Sequence, residues 1–257
     1  MTAANGKTSG LAIGEKKVWL GAGLALGAVA LVSNAPYSAL IALFDYDDVL
    51  RRTPGDVLTK FHDAGAPLVW AWWAFAMCAV GFAVAAASLG EALKGKLSRA
   101  FTMFGVVSGV LQAVALFRWT FVIPPMASAY VAAGEGSAER AAIETSYTML
   151  NAFAGVGIGE HLGQILLMVW TLGVGLAVMR LGGAMRWIGA AGLATLPFWI
   201  VGQTELLATA MPEMPVIETI PYAYMAWEAW LLVLGVAMVV RVMRGERGVA
   251  GKVSYAT

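Results

Sequence analysis

Six long apolar stretches divide this chain, at residues 18–44, 67–89, 101–123, 159–179, 187–208 and 221–240. Each approaches or exceeds the roughly 20 residues that a helix needs to cross the hydrocarbon of a bilayer. A helix satisfies every backbone polar group within itself, so it is the element that such stretches form in lipid. The expected fold is an all-α membrane protein, a bundle of six transmembrane helices. Its expected divisions are a tail at 1–17, the transmembrane domain at 18–243 and a second tail at 244–257. Composition agrees: 60% of residues are hydrophobic, 13% are charged and the mean hydropathy is +0.73, outside the soluble globular range.

The basic residues alternate from one connection to the next. Lys7, Lys16, Lys17, Lys94, Lys96, Arg99, Arg180, Arg186, Arg241, Arg244, Arg247 and Lys252 all fall on one side if the chain crosses six times. Arg51, Arg52, Lys60 and Arg140 fall on the other, and Arg118 lies near the end of the third span. Because Lys and Arg are retained on the cytoplasmic side, this bias places both termini in the cytoplasm of a multi-pass cell-membrane protein. In a bacterium that is the inner membrane. A net charge of +1 and the lack of a Lys/Arg run give no sign of nucleic-acid binding. The partner that the composition demands is the lipid bilayer itself. The sequence specifies no oligomeric state.

The N-terminal stretch begins like a secretory signal, yet its apolar run is too long and Pro36 follows the one small-residue site. The first span is therefore expected to be retained, with residues 1–15 mobile. The two long connections, 45–66 and 124–158, have room for structure of their own. Pro54-Gly55 reads as a turn, and Ser137 as the cap of a helix with Glu139 in its first turn. The glycine run 155–159 is expected to loosen the chain where the fourth span begins. Pro124-Pro125 ends the third helix, and Pro212 and Pro215 interrupt the chain before the sixth. Glycines four apart at 23/27, 105/109 and 159/163 are read as seams for packing within the chain. Cys78, the single cysteine, lies inside the second span as a packing residue.

Polar residues inside the spans carry the functional argument, because charge in hydrocarbon is costly and usually faces a cavity or a partner. Arg118, Glu160, His161, Gln164, Gln203, Glu205 and Glu228 all fall toward the non-cytoplasmic ends of spans three to six, with Asn34 and Gln112 deeper. Those seven are the candidate ligand-binding residues of an outward-facing polar and aromatic chamber. The reading set against this is a structural ion-pair network, with Arg118 paired to Glu160, Glu205 or Glu228. His62 and His161 are weaker candidates for metal ligands, since no HxxxH or HExxH spacing supports them. The sequence requires no cofactor. Trp70, Trp72, Trp73, Trp119, Tyr130, Tyr222, Tyr224, Trp227 and Trp230 read first as an interfacial aromatic belt.

Arg118 closing a span before Pro124-Pro125 and the loop containing Tyr130, followed by the Gly-rich opening Gly159, Glu160, His161, Gly163 and Gln164, resembles a bacterial family. It is the domain of unknown function 4386, a group of uncharacterised polytopic membrane proteins. The similarity covers about two thirds of the chain. It implies a multi-span membrane protein and no activity, so it transfers no catalytic residue. The function expected is a non-enzymatic protein whose chamber binds a small ligand, lipid or membrane partner. The alternatives are a metal-dependent membrane enzyme using His62 and His161, and a small-solute transporter.

Overall fold

The computed structural model describes residues 13–46 and 48–253, with side chains described except at Leu50 and 246–253. The expected tail 1–17 therefore lies largely outside the described residues, but Ile13 already begins a helix, so 13–15 belong to the first span. The helices are α1 (Ile13–Val32), α2 (Asn34–Phe44), α3 (Pro54–Ala92), α4 (Arg99–Phe121), α5 (Ile123–Ala132), α6 (Ala138–Leu150), α7 (Gly163–Met179), α8 (Gly183–Ala208) and α9 (Ile220–Val253). A 3-10 turn, Asp48–Arg51, follows α2, and a π-helix, Asn151–Leu162, joins α6 to α7. Six helical units are long and apolar enough to cross a membrane, with α1–α2, α4–α5 and α6–α7 each counting as one. Leu24, Leu31, Val84, Val114, Ile200 and Val236 are each more than half exposed on these units. A surface of that kind is covered by lipid, and the chain is a multi-pass membrane protein.

Helices α1 and α9 run antiparallel, since Trp19 meets Arg241 while Ser33 meets Glu228. Both ends of the described chain thus share one end of the bundle, termed here the terminal end. The seam between these helices is made by glycine. A Cβ on Gly23 would lie 2.7 Å from the Gly235 carbonyl oxygen, and one on Gly235 would lie 2.6 Å from that of Gly23. The stripes at 105/109 and 159/163 likewise receive Trp170, Ala83, Ala115 and Gln112 of this chain, so all three serve packing within it.

At the distal end the first two connections are largely helical, and the third, 209–219, is not. Helix α3 has 39 residues, about 58 Å at 1.5 Å per residue, well beyond the roughly 30 Å of hydrocarbon. It turns at Gly65, whose φ of 61° and ψ of −148° suit glycine alone, with Pro67 just beyond. The segment 54–64 is thereby set apart from the apolar run. Pro54, expected in a turn, instead opens α3, capped by Thr53, whose side chain accepts from the Asp56 amide. Ser137 caps α6 as expected. Pro124 and Pro125 follow the break after α4 and occupy the first turn of α5, where a missing N–H costs nothing.

Two apolar cores result. One runs from Trp19, Leu26 and Leu89 to Trp170, Val174, Leu234 and Met238. The other, distal, joins Phe44, Val57, Phe61 and Trp72 to Trp119, Ile123, Tyr130 and Tyr147. Here the aromatic belt needs correcting. Trp70 and Tyr222 are two thirds exposed, but Trp72 and Trp119 are fully buried and stacked, with centroids 4.8 Å apart and planes 9° apart. Trp227 and Trp230 are core residues as well. The helices continue past the hydrocarbon, so a residue at the depth of the interface can face protein rather than headgroups.

Candidate functional site

The cores do not meet directly. On α1–α2 the core residues stop at Ala30 and resume at Ala39, with Ser33 between; on α3 Cys78 falls between Phe75 and Phe82. On α4 Ser108 and Gln112 fall between Val106 and Leu116. On the α6–α7 limb the whole π-helix falls between Leu150 and Leu167. Polar residues of four units thus interrupt the apolar contacts, and α8 and α9 supply partners to them in Gln203, Tyr224 and Glu228.

Glycine spacing draws α4 onto this limb. Asn151, Gly155, Gly159 and Gly163 recur every fourth residue, and a Cβ on the three glycines would strike Arg118, Ala115 and Gln112 in turn. The π-helix has a wider turn than an α-helix and is concentrated at functional sites. The expected loosening at 155–159 takes this form, a change of helical pitch without a break.

Arg118 is buried, 7% exposed, and donates to the Ala115 carbonyl oxygen at 2.7 Å and to Asn151 Oδ1 at 3.0 Å. Its guanidinium also lies 5.1 Å from the Trp119 ring centroid. Of the three acids considered as its partner, Glu160 is the one whose charge acts on it. Glu205 is held instead by Arg51 at 2.5 Å, and Glu228 accepts from the Ser33 hydroxyl at 2.8 Å. The three acids thus go to three places.

His161 Nδ1 lies 2.8 Å from Gln203 Oε1, and Gln203 Nε2 donates to Gln164 Oε1 at 2.7 Å. With its acceptor used in this way, Gln203 fixes Nδ1 of His161 as the protonated, donating nitrogen. Gln164 is 1% exposed, so this chain reaches the interior. Beside it the Tyr224 hydroxyl meets Gln112 Oε1 at 3.2 Å, Gln112 Nε2 donates to Ser108 Oγ at 3.0 Å, and Ser108 donates to the Gly163 carbonyl oxygen at 2.8 Å. The two chains adjoin at Gly163 and Gln164. Asn34, the other deep polar residue, only bonds back to the Ala30 carbonyl oxygen at 2.7 Å.

At the distal surface Arg51 bridges Glu205 and Glu218, and Asp45 takes both Arg52 and Lys60. The contact with Lys60, foremost, and that with Arg52 hold the Asp45 carboxyl below its ordinary range. Glu205, for its part, raises the Arg51 guanidinium. His62 is exposed on α3. Among the described residues no group of three or more His, Cys, Asp or Glu could hold a metal ion.

Sequence reasoning missed Asn151, Ser33 and Ser108 as partners. Asn151 had a signal, its place at the head of the four-residue glycine stripe. Ser33 had none, because its partner lies 195 residues away.

The family model described as Domain of unknown function (DUF4386) matches residues 19–235. No curated protein and no solved structure matches the chain.

Proposed function

The chain belongs to the DUF4386 family, and we propose that it is a cell-membrane protein that binds a small polar ligand or lipid headgroup at its buried polar seam. The observation that carries this reading is the convergence of His161, Gln164 and Gln203 from the π-helix, α7 and α8, beside Glu160 and Arg118. Amide and imidazole groups joined in this way offer both donors and acceptors, and all of them can rotate toward a ligand. The wide π-helical turn that carries Glu160 and His161 supplies a backbone able to change register around an occupant. Both termini are assigned to the cytoplasm from the basic residues, which places the seam in the outer half of the membrane.

Native mass spectrometry of the protein extracted from membranes tests the reading. A retained polar molecule or phospholipid is expected in the wild type and not in a His161→Ala, Gln203→Leu variant. Equal occupancy, or none, in both proteins refutes it. Stoichiometric zinc, copper or iron lost in His161→Ala would replace it with the metal-dependent enzyme. In a Cys78→Ala background, cysteines at Gly95 and at Glu135 test orientation. The first should label from the cytoplasm and the second from outside, and the reverse pattern overturns the assignment.

A further inference from the structure

Glu228 does not belong to the His161 chain. It lies eight residues into α9, about 12 Å from the start of that helix, and is half-buried against the seam with α1. The Ser33 hydroxyl, itself buried, donates to Glu228 Oε1 at 2.8 Å. Ser33 stands at the one-residue break between α1 and α2, ahead of Pro36, which cannot donate a backbone hydrogen bond. Ser33 lies near the middle of the first apolar stretch, residues 18–44, so this level is deep in the membrane.

Among the described residues no cation reaches this carboxyl. Arg51 is engaged with Glu205 and Glu218, and Lys60 and Arg52 with Asp45. Arg118 is bound to Ala115 and Asn151. Among the described residues no Lys, Arg or His pairs with Glu228. Helix α9 packs on α1 and α8; residues 18–44 hold no Asp, Glu, Lys, Arg or His, and on α8 the acid Glu205 is held by Arg51. The group bonded to it is the Ser33 hydroxyl, with Tyr224 one turn earlier on the same helix as Glu228. One hydroxyl cannot replace the hydration of a carboxylate, and an unpaired buried charge neutralises itself by taking up a proton.

We infer that Glu228 is a proton-binding site in the membrane interior, a neutral carboxylic acid held between the α1–α2 break and α9. The proton leaves when water or a cation reaches that seam, so its exchange is tied to the packing of α1 on α9. This site is independent of the ligand-binding reading, which rests on His161, Gln164 and Gln203.

A hydrophobic carbodiimide tests the inference on the full-length wild-type protein. The neutral acid adds across a carbodiimide C=N bond, its proton going to nitrogen and its oxygen to carbon. An acyl shift to nitrogen then gives a stable acylurea, with nothing lost. Dicyclohexylcarbodiimide near neutral pH should attach one equivalent, and peptide mass spectrometry should place it on Glu228. The label should be lost in Glu228→Gln and fade in the wild type only as the pH is raised. Ser33→Ala removes the donor that favours the charged form, so its label should persist to higher pH than that of the wild type. A wild type labelled elsewhere but not at Glu228 overturns the inference. So does labelling of Glu228 confined to the acidic range of a surface carboxyl, or a Ser33→Ala profile unchanged. Loss of the His161–Gln203 pair should leave the labelling intact.

Discussion

Replacing Arg118 by alanine is the sharpest single perturbation of the buried polar layer. The change removes two hydrogen bonds from a charged donor, to Ala115 O and Asn151 Oδ1, each worth about 1.5–3 kcal/mol. It also removes the contact with the Trp119 ring, about 0.5–2 kcal/mol. Against these stands relief from holding a guanidinium out of water, which cancels a large part of the sum. Losing one member of a buried charged set leaves a net cost of about 3–5 kcal/mol, because Glu160 loses the cation beside it and Asn151 loses its donor. The assay is chemical unfolding in detergent of the single and double variants. Asn151→Ala alone should cost about 1.5–3 kcal/mol, and the double variant should fall short of the sum by a similar amount. Glu160→Gln should couple to Arg118 in the same sense. Glu205→Gln and Glu228→Gln should be additive with it to within about 0.5 kcal/mol, as expected of sites without shared partners. A cost below about 1 kcal/mol for Arg118→Ala would mean a guanidinium that snorkels to water. That result, or coupling to Glu205 or Glu228, refutes the assignment.

Three further outcomes check the packing and the charges. Gly23→Ala places a methyl 2.7 Å from the Gly235 carbonyl oxygen and should cost about 1–3 kcal/mol on unfolding, whereas Gly21→Ala, with open space around it, should be neutral or slightly stabilising. Gln203→Leu strands the buried Gln164 acceptor and unties His161, which should cost about 1–3 kcal/mol and shift the His161 imidazole resonances. Asp45 has its carboxyl lowered by Lys60 and Arg52, so its contribution is present above the ordinary aspartate range and lost as the pH falls through the folded value. The melting temperatures of wild type and Asp45→Asn should therefore differ near neutral pH and converge in acid; a gap that widens in acid contradicts the pairing.

Length and composition alone settled the class of this protein. A run of about 20 apolar residues has few stable forms in lipid other than a helix, and six such runs leave a polytopic bundle. The capping of α6 by Ser137 and the glycine seams were legible for the same reason, since both depend on spacing along a single helix. The list of candidate residues was legible too, because polar groups stand out in apolar spans. Their partners were not. Pairing depends on the rotation and depth of each helix, and neither is set by its own sequence. Glu205 goes to Arg51, Glu228 to Ser33, and Arg118 to Asn151 beside Glu160, across separations of 154, 195 and 33 residues. The tryptophans show the same division. Position along the chain put Trp72 and Trp119 at the depth of the membrane interface, but only the packing of α3 and α4 past that depth turned them onto each other. A helix in lipid fixes its own backbone, and its neighbours decide which of its faces is buried.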